Sequence, residues 1–270
     1  MSHAELIDAH AHFYTEESGR TDWRAVNDAR LEAGTRMGVT AHVGSVLGTW
    51  GNSSPTYFPS PDDVTHGNEA MLGLARAHPG LIFGYCVVNP NYPDHALKEL
   101  ERRFEEGMVG IKLAASRRAN DALVDPIAAF AAEHGLPILH HVWQHRRREW
   151  PGQEASDAIE LVELAKRHPD TKFLLAHIAG GGDWAHSLRA VCDIANVWVD
   201  LSGSGVDNGM LEAVLEAVSP RRMVWACDVT MDTGLAKLRY LESLELGSTD
   251  LDRIRSGSAK DLFPAGVFEP

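Results

Sequence analysis

The stretch IDAHAHF, residues 7–13, alternates apolar and polar side chains near the start of the 270-residue chain. This alternation predicts a β-strand, in which successive side chains point to opposite sides, so His10 and His12 would face the same way. Two imidazoles on one side of a strand can bind a single metal ion. A histidine pair carries little weight alone in a chain with 14 histidines, so its significance depends on further ligands downstream.

Short apolar runs alternate with longer segments of helical periodicity along the rest of the chain. The eight predicted strands are 6–13, 39–47, 81–88, 109–114, 137–142, 172–178, 197–201 and 223–227. Strand–helix alternation indicates parallel strands, and eight such units close a barrel. An open doubly wound sheet would have a glycine fingerprint in its first turn, which this sequence lacks. The sequence therefore predicts an α/β fold, a (β/α)8 TIM barrel with eight parallel strands, as a single domain over residues 1–270.

The charge balance restricts the partners. The chain has 38 acidic and 25 basic residues, a formal charge of −13, which disfavours nucleic acid or an anionic membrane as the main partner. Three widely separated cysteines, without a signal peptide or a membrane-spanning apolar run, are typical of a cytoplasmic protein. We therefore expect a small-molecule substrate, with a carboxylated one among the candidates. The oligomeric state stays open, with a homodimer as one option because barrels of this kind often dimerise.

Polar residues end most of the predicted strands, where core packing alone would favour valine or isoleucine. The C-terminal strand ends surround the active site in TIM barrels. Besides the first histidine pair, the polar residues at these ends are Lys112, His140, His141, His177, Asp200 and Asp228. Imidazole nitrogens with a carboxylate oxygen suit Zn²⁺, with Mn²⁺ or Fe²⁺ as alternatives. Three histidines and one aspartate would leave a coordination position for a water molecule, whose lowered pKa makes it a nucleophile.

These segments resemble the amidohydrolase superfamily, and most of all its amidohydrolase-related branch, which includes amino-carboxymuconate-semialdehyde decarboxylase. The segments that carry the resemblance are IDAHAH at 7–12, GLPILHH at 135–141, LLAH at 174–177, WACD at 225–228 and GSAKDLF at 257–263. Their order and spacing extend the resemblance over essentially the whole chain. The resemblance implies a barrel with one bound divalent metal ion, usually zinc.

The resemblance also implies one set of metal ligands: His10, His12, His141 and Asp228. It implies that His177 transfers a proton or polarises the substrate. His140 and His141 point to opposite faces if the fifth strand is regular. The family places its ligand four residues after the proline at 137, which selects His141, whereas a bulge would select His140.

Lys112 is the second open assignment. In binuclear relatives a lysine of the fourth strand is carboxylated and bridges two metal ions, so a second metal ion is expected only if Lys112 is carboxylated. Because the resembling branch is mostly mononuclear, we favour an ammonium that binds a substrate carboxylate or pairs with an acidic residue.

Two irregular segments, 48–63 and 143–153, are the expected walls of the pocket and the expected source of substrate specificity. Trp50 and Trp143 are candidates for an aromatic wall. Arg146 is a candidate for binding an anionic group, although it belongs to a run of arginines more typical of a solvated face.

The resulting functional prediction is a metal-dependent hydrolase of a small-molecule ester, lactone or amide. In it, His177 polarises the carbonyl or moves a proton, and Asp228 passes a proton to the leaving group. The alternative is a metal-dependent non-oxidative decarboxylase or another carbon–carbon lyase, which would use the same residues on a carboxylated substrate. Chain length favours the hydrolase slightly, because the decarboxylases of the family tend to be longer. A metal-independent lactonase and a metal-free binding scaffold are the remaining alternatives.

Overall fold

The computed structural model describes residues 5–18, 20–46, 59–113, 116–142, 154, 156–178, 183–203, 205–228 and 233–269. Eight parallel strands form one sheet, in which each strand pairs with its neighbours in sequence. The strands are β1 (Ile7–His12), β2 (Ala41–Ser45), β3 (Ile82–Val88), β4 (Gly110–Leu113), β5 (Pro137–His140), β6 (Lys172–Leu175), β7 (Val197–Asp200) and β8 (Met223–Val224).

The last strand returns to the first. The amide of Ala9 donates to the carbonyl of Trp225 at 3.1 Å, and the amide of Asp228 donates to the carbonyl of His10 at 2.7 Å. These bonds join the segment after β8 to β1 and close the sheet on itself. The predicted (β/α)8 TIM barrel is therefore confirmed.

Helices follow the strands on the outside of the barrel. They are α1 (Trp23–Met37), α2 (Pro61–Ala77), α3 (Pro93–Glu105), α4 (Asp125–His134), α5 (Ala158–Arg167), α6 (Trp184–Val191), α7 (Met210–Ala217), α8 (Gly234–Ser243), α9 (Ser248–Asp252) and α10 (Ser258–Leu262). Gly38 and Gly135 end α1 and α4 with φ of 83° and 65°, values that suit a residue without a Cβ. Within the described segments, every helix is too short or too polar to span a bilayer.

Two apolar layers fix the strands in place. The larger one lies between strands and helices and includes Leu100, Ile111 and Leu161. The smaller one includes Leu139 of β5 and Phe263, just after α10. The strands are therefore buried on both faces. A polar side chain at the end of such a strand is costly to bury, so it needs a hydrogen-bond partner or a specific function there.

An irregularity in β1 separates its polar residues. The register between β1 and β2 shifts between Asp8 and Ala11. A regular strand would place Asp8 on the same side as His10 and His12, yet Asp8 contacts Arg30 of α1 and His42 of β2. Bulges commonly redirect side chains beside active sites. Here the bulge gives one six-residue strand two separate polar clusters.

Candidate active site at the C-terminal strand ends

The two histidines of β1 face each other. The Nε2 atoms of His10 and His12 lie 3.1 Å apart. The Nδ1 atom of His10 contacts Asp200 Oδ2 at 2.7 Å, and the Nδ1 atom of His12 contacts Ser45 Oγ at 3.0 Å. Each ring thus has one nitrogen fixed by a neighbour, and its other nitrogen points into the barrel mouth.

Asp228 completes this group from the other side of the barrel seam. Its Oδ1 lies 3.2 Å from Nε2 of His12 and 3.7 Å from Nε2 of His10, and its Oδ2 lies 3.2 Å from Nε2 of His177. Burial alone would raise the pKa of Asp228, but the charge of His177 and the hydrogen bond from His12 hold it well below its ordinary value. Asp228 is therefore an ionised carboxylate.

His177 and Asp228 share an unusual backbone conformation. Their φ angles are 61° and 62°, in the left-handed region that side chains with a Cβ rarely adopt. The amide of His177 donates to Asp200 Oδ1 at 3.2 Å, and the Nδ1 atom of His177 donates to the carbonyl of Val142 at 3.2 Å. These bonds leave Nε2 of His177 facing Asp228. Burial lowers the pKa of His177, yet the Asp228 carboxylate outweighs burial and the net shift is upward.

The structure brings His141 into this cluster. Its ring packs edge-on against His177, with centroids 4.7 Å apart. Burial, followed by the charge of His177, moves the pKa of His141 well below its ordinary value. His140 is fully buried as well, and its Nδ1 donates to the carbonyl of His141 at 3.0 Å. Burial lowers the pKa of His140 to about 4, so both imidazoles are neutral near pH 7.

Lys112 enters from β4 with its side chain fully buried. Its Nζ donates to Nε2 of His10 at 3.0 Å, so in this structure the inward nitrogen of His10 accepts from the ammonium. Burial lowers the pKa of Lys112 to about 8, although the carboxylates of Asp228 and Asp200 oppose the shift. The lysine is therefore still mostly an ammonium near pH 7.

Asp200 acts on this cluster from β7. Burial raises its pKa, but the charge of His10 and the hydrogen bonds it accepts bring it down to about 2. A carboxylate on the second nitrogen of a histidine is the usual partner of a metal-binding imidazole, because it fixes the tautomer and the ring orientation. Asp200 and Ser45 supply such contacts for His10 and His12.

The donor atoms fit a divalent metal ion. Ligand atoms about 2.1 Å from a tetrahedral ion lie about 3.4 Å from one another. The separations among the inward nitrogens of His10 and His12 and the Asp228 oxygen are 3.1, 3.2 and 3.7 Å. His10, His177 and Asp228 also form a group in which each residue offers one donor atom, and these atoms lie within 4.8 Å of one another.

Sequence reasoning missed several residues of this site. Ser45 is one small polar residue on β2, and nothing in the sequence indicates which ring it contacts. Arg30, on α1, donates to the carbonyl of Asp228, and helical periodicity alone gives no sign of that partner. Three predicted substrate-binding residues, Trp50, Trp143 and Arg146, lie outside the described residues.

The chain belongs to the amidohydrolase family, because a family model described as amidohydrolase matches residues 7–265. The resemblance inferred from the strand-end motifs is thus confirmed, and the protein is an enzyme of that family. A search of curated proteins found no match.

Solved structures of similar fold include three decarboxylases. The 2,6-dihydroxybenzoate decarboxylase from Rhizobium has a TM-score of 0.73 at 12% identity, covering 97% of this chain and 98% of that one. The dihydroxybenzoic acid decarboxylase from Polaromonas, with bound manganese and 2-nitroresorcinol, has a TM-score of 0.72 at 16% identity, covering 96% of each chain. The 5-carboxyvanillate decarboxylase from Novosphingobium aromaticivorans, with manganese and 4-hydroxy-3-methoxy-5-nitrobenzoic acid, has a TM-score of 0.73 at 15% identity, covering 96% of each chain. At these identities the likeness shows the fold alone.

Proposed function

We propose that this chain is a divalent-metal-dependent decarboxylase that removes carbon dioxide from a small carboxylic acid without an oxidant. The observation that carries the proposal is the fully buried Lys112 ammonium beside His10, at the base of a cluster that fits a divalent ion. The similar structures named above are decarboxylases of aromatic acids, which supports the same assignment. The hydrolase predicted from the sequence has less support than the decarboxylase. The chain-length argument that favoured the hydrolase is weakened for the same reason.

The charge of the site favours an anionic substrate. Asp200 and Asp228 contribute two negative charges, which a divalent ion would balance. Protonated Lys112 would then leave one positive charge in excess, and a protonated His177, the proton donor proposed below, would add a second. A buried site of this kind attracts a carboxylate more strongly than a neutral ester, because opposite charges interact strongly where water is excluded.

The residues that would hold the metal ion are His10, His12, His141 and Asp228. The donor set suits Zn²⁺ and also Mn²⁺, the ion present in two of the similar structures. When bound, the ion would supply positive charge that stabilises the developing charge on substrate oxygens. We propose one ion, because Lys112 donates to His10 as an ammonium.

The proton chemistry falls to His177 and Asp228. Breaking the bond between the carboxylate and the substrate carbon leaves an electron pair on that carbon, and carbon dioxide departs. The carbon must then take up a proton. We assign this proton to His177, because the Asp228 carboxylate 3.2 Å away raises its pKa and favours its imidazolium form. Lys112 would orient the substrate carboxylate before the bond breaks.

Hydrolysis of an ester, lactone or amide is the second candidate. The same contact between His177 and Asp228 favours it, since a carboxylate-paired imidazole can also accept a proton from an attacking water and return it to a leaving group. The two reactions differ in their products rather than in their residues.

The products therefore provide the test. Chelated protein would be reloaded with Mn²⁺ or Zn²⁺ and incubated with carboxyl-¹³C-labelled dihydroxybenzoates and 5-carboxyvanillate, and with a parallel panel of esters, lactones and amides. Release of labelled carbon dioxide, abolished by chelation and by Asp228→Asn, is the expected result. Acid release from the second panel without carbon dioxide from the first would establish the hydrolase instead.

A further inference from the structure

A second polar cluster lies behind the site, on the other side of the β1 bulge. It consists of Asp8, Arg30 and His42, whose side chains are all at least 95% buried. Arg30 Nη1 donates to Asp8 Oδ2 at 3.1 Å, and His42 Nδ1 donates to the same oxygen at 2.9 Å. None of these residues belongs to the set of donors that surrounds the proposed metal position.

This cluster forms hydrogen bonds with the backbone on both sides of Asp228. Asp8 Oδ1 accepts from the amide of Cys227 at 3.0 Å, just before Asp228. Arg30 Nη2 donates to the carbonyl of Asp228, just after it. The remaining amide, that of Asp228 itself, donates to His10. Cys227 and Asp228 together have four backbone polar groups. Both amides and the carbonyl of Asp228 thus have a hydrogen-bond partner.

Asp228 needs such support because its φ of 62° is unfavourable for a residue with a Cβ. Left-handed residues persist only where the surroundings hold them in place. In the extended conformation of the preceding strand, the carboxylate would not face His12 and His177. The bonds from Asp8 and Arg30 are therefore the contacts that oppose a return to that conformation.

We propose that Arg30, held by Asp8, is a positioning residue that fixes the backbone of Asp228 so that its carboxylate completes the metal site. The inference rests on the proposed metal site but concerns residues that do not touch the ion. A guanidinium suits this task because its planar group donates in two directions at once, to a carboxylate with Nη1 and to a carbonyl with Nη2. A lysine has a single ammonium and reaches only one of the two partners well.

The experiment compares two variants with a matched control. Arg30→Lys keeps the charge but loses the two-directional contact, and Asp8→Asn keeps an oxygen for the Cys227 amide but weakens the hold on Arg30. Arg103→Lys is the control, since Arg103 is also a buried helical arginine that binds a carboxylate, Glu99, at 2.6 Å. Circular dichroism and thermal unfolding establish which variants are folded. If Arg30→Lys does not fold, Asp8→Asn carries the test.

The readout is binding of the metal alone. Mn²⁺ affinity would be measured by calorimetry, and the visible absorption of bound Co²⁺ would report the coordination geometry. Loss of outer contacts of this kind weakens metal binding by about 10-fold to 100-fold. We expect that loss in Arg30→Lys and Asp8→Asn, with an altered Co²⁺ spectrum, and wild-type values in Arg103→Lys.

Two results would overturn the inference, and they are distinguishable. If the wild-type chain binds metal and the folded variants match Arg103→Lys in affinity and spectrum, the positioning role is wrong while the proposed function stands. If the wild-type chain binds no metal ion, the proposed function fails and the inference fails with it.

Discussion

The Nε2 atom of His177 lies 3.2 Å from Oδ2 of Asp228, and each of these residues has a left-handed backbone at the end of its strand segment. Both backbones leave the extended conformation at the point where the two side chains meet. Strained backbone of this kind is concentrated at functional sites, where the surrounding structure maintains it. The contact therefore links the chemistry of the site to the geometry of the barrel rim.

Replacement of His177 can separate chemistry from backbone strain. Asparagine tolerates positive φ better than alanine does, because its side chain bonds locally to the backbone. His177→Asn should keep the wild-type melting temperature and lose about 100-fold to 10,000-fold in kcat, the usual contribution of a proton-transferring group. His177→Ala should lose the same activity and also about 1 kcal/mol of stability. Steady-state kinetics and thermal unfolding on both variants would check this, and equal melting temperatures would contradict the role of strain.

Asp200→Asn should weaken metal binding without unfolding the chain. Asp200 Oδ2 accepts a hydrogen bond from Nδ1 of His10 at 2.7 Å, which keeps the Nε2 lone pair facing the cluster, where a bound ion would replace the 3.0 Å contact from Lys112. An amide can instead donate to Nδ1, which would move the ring proton to Nε2 and block that lone pair. We expect Mn²⁺ affinity to fall by about 10-fold to 100-fold, measured by calorimetry. Ser202→Ala removes a longer 3.3 Å contact with the same Nδ1, so Mn²⁺ affinity should fall less in that variant. An equal loss of affinity in both variants would argue against the tautomer explanation.

Stability at low pH should depend on Asp125. Its carboxylate accepts from Arg167 at 2.8 Å and from His168 at 2.8 Å. Partial burial raises its pKa, but these bonds outweigh burial and the folded pKa lies below the ordinary value. A carboxyl whose pKa is depressed on folding adds stability above its unfolded pKa of about 3.9, and that stability is lost as pH falls through the folded value.

The corresponding variant is Asp125→Asn. Because these charges are partly exposed and screened by water, we expect a loss of about 0.5–1 kcal/mol between pH 6 and 8, shrinking towards zero below about pH 4. Urea unfolding across this pH range measures the difference. Asp170→Asn, on the exposed loop after α5, controls for the change in net charge, and a pH-independent loss in Asp125→Asn would contradict the ion-pair explanation.

Gly110 tests the packing of the barrel interior. A Cβ built at Gly110 would lie 2.7 Å from the ring of Tyr85, whose hydroxyl donates to the carbonyl of Ala9 at 2.7 Å. Gly110→Ala should therefore cost about 1–3 kcal/mol, the range for overpacking a core. Gly73, inside α2, has open space around its Cβ position, so Gly73→Ala should stabilise by about 0.5–1 kcal/mol. Equal effects on the melting temperature would show that Tyr85 moves aside.

The sequence was sufficient for the barrel because strand–helix alternation is a property of local pattern. It was also sufficient to assemble the candidate cluster, since parallel strands bring their C-terminal ends to one rim and polar residues there stand out against apolar runs. The β1 bulge could not be foreseen, because the spacing of Asp8, His10 and His12 is that of a regular strand. Partners such as Ser45 and Arg30 could not be foreseen either, because their contacts depend on how distant elements pack. The pocket walls expected at 48–63 and 143–153 stay a prediction, because these segments show no periodicity and most of their residues lie outside the described part of the chain.

The bond from the Asp228 amide to the His10 carbonyl, which joins the last strand segment to the first, has a consequence for biosynthesis. Two of the proposed ligands meet only across this seam, so a nascent chain still lacking β8 holds an incomplete ligand set. The ion would then bind the finished barrel and have little affinity for partly synthesised chains. This preference would stabilise the folded state by mass action. Metal uptake would thus report completed folding, and metal starvation would act first on newly made protein.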